Sequence, residues 1–426
     1  MDRRTFLRLA GMAAATPPVG ALLAACGNPP TESSSTPLAQ TPGTDPGATP
    51  NPTGIASSNR KVKLGFIALT DCASIIMAKE LGYFAERGLD VSVEKQASWA
   101  ATRDNLLNNE IDGGHVLSSM PFSVATGIGG TVSRALRIAM ILNNNGQAIT
   151  LSKDYAAVGY GDLDKARTAL QSKAPTLAMT FPGGTHDMWL RYWLKACKVD
   201  SNILKIITIP PPQMVANMKV DAMDGYCVGE PWGAQAVDQG IGFTHINTQD
   251  IWKHHPEKAL VVTEKFATER PDVLMDVMGA IVKASKWLDD PANRREASET
   301  IGAPSYVNAP AAEIEGRLLG QYNLGPGLGT KTYTDDYMTF FRGGQVNAPR
   351  RGHAIWFLSQ YRRFGLLRAD PPFQELADGL ILRDVYEKVA ANEGIDVPDD
   401  DMRPFHIKLD NTTFDPRKPI EEASRL

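Results

Sequence analysis

The sequence predicts an α/β protein of two lobes, each a doubly wound and mostly parallel sheet, followed by a helical C-terminal region. Three observations carry that prediction. Apolar runs of strand length alternate with helical runs along most of the chain, the pattern of βαβ units and parallel sheets. One turn pattern occurs twice: Ile111-Asp112-Gly113-Gly114-His115-Val116 with Pro121 after it, and Met223-Asp224-Gly225-Tyr226-Cys227-Val228 with Pro231 after it. Each copy reads as an Asp-Gly turn, a short buried strand and a helix opened by proline. The body beyond residue 60, roughly 365 residues, also exceeds what one hydrophobic core usually serves.

The elements follow in order. Arg3-Arg4-Thr5-Phe6-Leu7-Arg8 is a twin-arginine signal, continued by an uncharged Ala- and Gly-rich segment and by the lipobox Leu23-Ala24-Ala25-Cys26-Gly27. Pro17-Pro18 interrupts this segment well short of the about 20 apolar residues a membrane span needs. Residues 1–25 are therefore read as a signal peptide, and cleavage leaves a lipidated Cys26 as anchor. Residues 26–59 are Pro, Thr, Ser, Gly and Ala with almost no large apolar side chain, which makes them a disordered tether. The first lobe, 60–150, holds expected strands at 61–69, 91–95, 114–117 and 137–142 and helices at 72–87, near 101–108 and after Pro121. The second lobe, 151–249, centres on an apolar run at 177–179, a Gly-rich turn and a helical run at 188–197. Residues 250–426 return to the first lobe and end in helices. Pro271 opens one with Val273, Val277 and Ile281 on a stripe. The stretch from Trp356 to residue 390 is expected to pack on the first lobe.

Composition excludes several classes. A net charge of −4 with 22% charged residues gives no basic stripe for nucleic acid. Beside Cys26 stand Cys72, Cys197 and Cys227, an odd set at scattered spacing that makes no disulfide framework, although one bridge is compatible with an oxidising compartment. In Gly325-Pro326-Gly327-Leu328-Gly329-Thr330-Lys331 the lysine does not follow a glycine and Pro326 removes an amide, so the segment is read as a mobile loop instead of a phosphate cradle. His254-His255-Pro256-Glu257 lacks the spacing that puts two ligands on one helical face, so no metal and no cofactor is expected. Cys72 follows the first strand, where a nucleophile is often presented, yet no cation near it in sequence would lower its pKa. It reads as a packed cysteine, with an anchored hydrolase as the rival reading. His115 reads as a core or rim histidine.

The chemistry-bearing stretch is Thr180-Phe181-Pro182-Gly183-Gly184-Thr185-His186-Asp187-Met188-Trp189. A strand that ends in such a turn and opens a helix aims backbone N–H groups and the positive helix end at its occupant. A small oxyanion presents only acceptors, so a selective pocket offers N–H groups and one cation and turns no carboxylate inward. The candidates are Trp99, Gln147, His186, the backbone at Gly229, and Lys258.

Residues of about 60–390 closely resemble the nitrate-binding and bicarbonate-binding periplasmic lipoproteins of cyanobacterial ABC transporters. The resemblance rests on Lys63-Leu64-Gly65-Phe66-Ile67-Ala68-Leu69-Thr70-Asp71, Gln96-Ala97-Ser98-Trp99, the turn from Met179 to Asp187, Pro210-Pro211-Pro212-Gln213-Met214, Cys227-Val228-Gly229-Glu230-Pro231-Trp232 and His255-Pro256-Glu257-Lys258. It implies a type II periplasmic binding protein fold that closes like a clamp over a small anion and delivers it to a membrane permease driven by a cytoplasmic ATPase. It places the family's indole donor on Trp99, its glutamine on Gln147, its turn histidine on His186, its backbone contact on Gly229 and its ligand-class residue on Lys258. Bicarbonate binders carry an acidic residue there, associated with calcium; a lysine neutralises a monovalent anion directly and repels a cation. Nitrate and nitrite are thus the implied ligands, with bicarbonate or a sulfonate as alternatives. Closure is expected to bring Trp99 and Gln147 of the first lobe against His186 and Gly229 of the second, about a hinge near residues 150 and 250. The implied protein is a monomeric receptor, not an enzyme, exported by the twin-arginine pathway and anchored at the periplasmic face of the cytoplasmic membrane. Cys72, Gly233 and Arg350-Arg351-Gly352-His353 depart from the family pattern.

Overall fold

The computed structural model describes residues 58–425; the signal peptide, Cys26 and nearly all of the tether lie outside them. Ten strands build two sheets: β1 (Lys61–Phe66), β2 (Asp90–Lys95), β3 (Gly113–Leu117), β4 (Leu136–Asn144), β5 (Gln147–Ser152), β6 (Thr176–Met179), β7 (Lys205–Thr208), β8 (Gly225–Gly229), β9 (Gly242–Asn247) and β10 (Pro256–Thr263). The first sheet runs β2-β1-β3-β10-β4 and the second β7-β6-β8-β5-β9. In each, one strand opposes its neighbours: β10 is antiparallel to β3 and β4, and β5 to β8 and β9. These are the strands that arrive from the other lobe. A chain that crosses at the facing edges enters the next sheet where parallel strands end, so it must run backwards.

The outward crossing is short. Only Asn145 and Gly146 separate β4 from β5, at φ 62° and 91°. A Cβ on Gly146 would meet only the flexible tip of Met338, at 2.2 Å, so it is the left-handed conformation that calls for glycine here. Gln147 therefore opens a second-lobe strand, whereas the sequence placed it in the first lobe with the boundary at 150. The return crossing occupies 248–255, close to the expected 250.

The repeated Asp-Gly pattern is a structural repeat. Asp112 Oδ2 accepts from Lys63 N and Asp224 Oδ2 from Thr176 N, both at 2.8 Å. Each aspartate thus ties its turn to the adjoining strand, and β3 and β8 take the same middle place in their sheets. Pro121 sits in the first turn of the helix Met120–Ala125, as expected for a residue without an N–H to lose. The expected helix at 72–87 is divided at Gly82, whose φ of 75° breaks it into Ala73–Glu80 and Tyr83–Glu86. The Gly-rich segment near 325 is the turn of a hairpin between Gln321–Asn323 and Thr330–Thr332.

The helix Pro271–Leu288 buries its apolar stripe in the first lobe's core beside Ile75, Ile76 and Phe84. The helix Arg351–Arg363 differs from expectation because it straddles both lobes. Its Trp356 ring lies 5.4 Å from Trp189 and 5.8 Å from Tyr192 of the second lobe. Its Tyr361 hydroxyl lies 3.0 Å from Ser119 O and 2.6 Å from Gly183 O, one carbonyl from each side. Large aromatic area with a polar tip suits a seam that must be dry and still hydrogen-bonded.

Candidate anion-binding site

The two lobes are shut on a polar cluster. Asp71, Trp99, His115, Gln147, His186, Glu257 and Lys258 are all 0% exposed. Bonds across the cleft hold it closed: Thr70 N donates to Glu230 O at 2.8 Å, and Trp232 Nε1 to Ala68 O at 3.0 Å.

Lys258 and Glu257 are sequence neighbours on β10, and a regular strand would send them to opposite faces. The ladder to β4 shifts register on both sides of Lys258 and leaves Glu257 without a partner there. This bulge re-aims the side chains and brings Lys258 Nζ to 3.0 Å from Glu257 Oε1. Lys258 Nζ also donates to Asp71 Oδ2 at 2.7 Å, and Gln147 Nε2 donates to that same oxygen at 2.9 Å. His115 Nε2 lies 2.6 Å from Asp71 Oδ1. Since the amide nitrogen of Gln147 faces a carboxylate, its oxygen faces His186 Nε2, at 2.7 Å. His186 Nε2 must then carry the proton, and Nδ1 accepts from Thr180 Oγ1 at 2.5 Å. Glu257 also accepts from Thr185 Oγ1 and, at 2.8 Å, from Trp189 Nε1.

Burial pushes the Asp71 acid up, but the charge of Lys258 and the hydrogen bonds from Lys258 and His115 outweigh it and hold the carboxyl below its usual range. Burial likewise disfavours the Lys258 ammonium, and Asp71 with Glu257 reverses this, so the lysine stays charged. Burial lowers His115, holds His186 well below the ordinary imidazole range and takes His255 to about 3. It raises Glu257, on which three donors nevertheless converge, the pattern of a carboxylate.

All five candidates read from the sequence therefore meet in one place, but the expectation that nothing negative would face the hollow is wrong. Asp71 and Glu257 flank the ammonium. The reason is desolvation: a lone buried ammonium would shed its proton, and two carboxylates keep it charged. Trp99, the first residue of the helix Trp99–Leu107 whose Ser98 cap accepts from Ala101 N at 3.1 Å, points an indole N–H that has no partner. Lys258 Nζ lies 5.9 Å from the Trp99 ring. A buried donor without an acceptor costs about 1–3 kcal/mol and marks where an acceptor belongs.

Gly229 pairs with Gln147 across β8 and β5. A Cβ on it would stand 2.6 Å from Gln147 Oε1 and 3.4 Å from Asp71 Oδ2. Gly229→Ala will push the Gln147 carboxamide off His186, and titration calorimetry will read about tenfold weaker anion binding, about 1.4 kcal/mol, with the fold kept.

Sequence reasoning missed Asp71, His115 and Glu257, and with them Thr180, Thr185 and Trp189. Cys72 is fully buried and free, as are Cys197 and Cys227, and burial with the adjoining Asp71 pushes its thiol up. Such a thiol is no nucleophile. Among the described residues no group of three or more His, Cys, Asp or Glu is arranged to hold a metal.

Two α/β sheets joined by crossing strands and closed over buried N–H donors and one ammonium define a two-lobed solute-binding protein. The chain belongs to the NMT1-like family, whose model matches residues 56–302. It is 38% identical to the nitrate/nitrite binding protein NrtA of Synechococcus elongatus, over 98% of this chain and 96% of that one. Against the bicarbonate-binding protein CmpA of the same organism the identity is 29%, with the same shares covered. The crystal structure of the periplasmic nitrate-binding protein NrtA from Synechocystis matches with a TM-score of 0.82 at 36% identity, over 86% of this chain and 98% of that one.

Proposed function

We infer that this protein is the solute-binding component of an ABC importer and captures nitrate. The observation that carries the reading is Lys258, a fully buried ammonium set beside the unpartnered indole N–H of Trp99 in a closed cleft. The higher identity to the nitrate/nitrite binding protein than to the bicarbonate-binding one supports the same ligand class. Bicarbonate with calcium is the rival that Asp71 and Glu257 bring to mind, since carboxylates suit a hard cation. Lys258 Nζ already stands between them, at 2.7 and 3.0 Å, where such a cation would go.

Nitrite fits the same donors, being a monovalent oxyanion with acceptors only. The proposal includes delivery to a membrane permease and its ATPase by a monomer that performs no catalysis. The buried, unreactive Cys72 supports the last point. Export by Arg3-Arg4 and anchoring through lipidated Cys26 at the periplasmic face of the membrane complete it. Titration calorimetry with nitrate, nitrite and bicarbonate, each with and without calcium, is the test. Nitrate heat independent of calcium is expected; heat only from bicarbonate with calcium would overturn the assignment.

A further inference from the structure

Two buried atoms of the closed site lack partners, Trp99 Nε1 and His115 Nδ1. They belong to rings whose centroids lie 5.7 Å apart, tilted by 40°. The other nitrogen of His115, Nε2, lies 2.6 Å from Asp71 Oδ1 and so carries a proton, which leaves Nδ1 of the neutral ring as a bare lone pair. A bare lone pair on one ring and an indole N–H on its neighbour do not both suit a guest that offers acceptors only. With its histidines neutral, the cluster of Asp71, Glu257 and Lys258 carries one net negative charge. A monovalent anion would raise that to two in a space closed to water, where charge is poorly screened. A proton on Nδ1 removes both conflicts, because the imidazolium pairs with Asp71 on one side and offers an N–H on the other.

We propose that His115 is an anion-contacting residue of this site and that the anion is captured together with one proton, held on His115 Nδ1. The inference rests on the anion-capture reading above. The titratable and charged groups that act on His115 are Asp71 after β1, Lys258 on β10 and His186 on the helix Thr185–Ala196, with Glu257 and His255 elsewhere in the same buried cluster. His186 has both nitrogens engaged, by Gln147 and Thr180. His255 has Thr248 Oγ1 at 2.8 Å and Pro256 O at 3.2 Å. Of these three histidines, only His115 has an open nitrogen.

The sign follows from linkage. In the free protein burial lowers His115 against the pull of Asp71, so the ring is neutral near neutral pH. A bound anion raises it. Binding therefore takes up a proton, and affinity falls as pH rises through the value in the complex.

The test is titration of the protein with sodium nitrate at about pH 8, well above the ordinary imidazole range, in several buffers of different ionisation enthalpy. Uptake approaching one proton per nitrate is expected, with affinity falling by about tenfold per pH unit over the same pH range. His115→Gln, which keeps an N–H but binds no proton, is expected to bind nitrate more weakly and with a proton count near zero. Nitrate heat without proton uptake in the unaltered protein overturns this inference alone. Unchanged proton uptake in His115→Gln overturns it too, since the proton then lies elsewhere. No nitrate heat at any pH overturns it together with the function on which it rests.

Discussion

Lys258→Met will abolish nitrate binding and lower the melting temperature sharply, by a deficit that narrows on acidification. Among the described residues no other lysine or arginine reaches Asp71 or Glu257, and the ammonium lies 2.7 and 3.0 Å from them. Methionine fills the volume but leaves two carboxylates facing each other out of water. Removing one partner of a buried ion pair costs about 3–5 kcal/mol, because the remaining charge is uncompensated. The pH response follows. In the unaltered protein Asp71 is depressed, so its contribution is present above the unfolded carboxyl value and is lost as pH falls through the folded one. In the variant, burial acts without the lysine and raises the acid above its unfolded value; the deficit is then full at high pH and relieved as pH falls and a carboxylate takes a proton. Thermal unfolding between about pH 5 and pH 8 will read this as a deficit, relative to the unaltered protein, that narrows on acidification; the buried histidines, common to both, cancel in the comparison. Equal melting temperatures and retained nitrate affinity would show that the cluster is not the charged core of the site.

Much of this arrangement was legible in the sequence because it rests on local chemistry. The two Asp-Gly turns announced β3 and β8, and the capping roles of Asp112 and Asp224 show why the pattern recurs. The five ligand candidates came from donor chemistry together with resemblance, and all reached the cluster. What stayed hidden depends on contacts distant along the chain. Asp71 and Lys258 lie 187 residues apart and meet only when β1 and β10 flank β3. Glu257 should point away from Lys258 on a regular strand, and no residue in Pro256-Glu257-Lys258-Ala259 signals the bulge that turns it back. Gln147 was placed in the wrong lobe because the run Ala148-Ile149-Thr150-Leu151 that follows it gives strand period but not sheet membership. The decisive cue, Asn145-Gly146, is a turn dipeptide that marks the crossing only in hindsight. His115 carried a weak signal, as a lone imidazole inside a buried strand with a Gly-Gly pair before it.

Gly114→Ala will destabilise the first lobe by about 3 kcal/mol and weaken anion binding with it, the second large effect expected. β1 and β3 touch through Leu64 with Gly113 and Gly65 with Gly114, a pairing of two residues only. A Cβ on Gly114 would stand 2.4 Å from Gly65 O and 3.0 Å from Gly65 N. Both are backbone atoms, so no rotamer change relieves the contact and the strands must part. The seam matters for function because Asp71 leaves the end of β1 while His115 follows Gly114 on β3, and their 2.6 Å bond spans it. The repeat supplies the control. Gly225 on β8 holds the place of Gly113, while Tyr226, paired with Ala178, fills the place of Gly114, so that seam already carries side chains; the nearest atom to a Cβ on Gly225 would be Leu151 Cδ2 at 2.7 Å, the tip of a side chain, with the backbone Thr150 O at 3.0 Å. Urea unfolding should therefore rank Gly114→Ala as the more damaging substitution, and calorimetry should show weakened nitrate binding in it. The opposite ranking would mean that the close approach of β1 and β3 is not what demands glycine at position 114, and that the Asp71–His115 contact tolerates a wider seam.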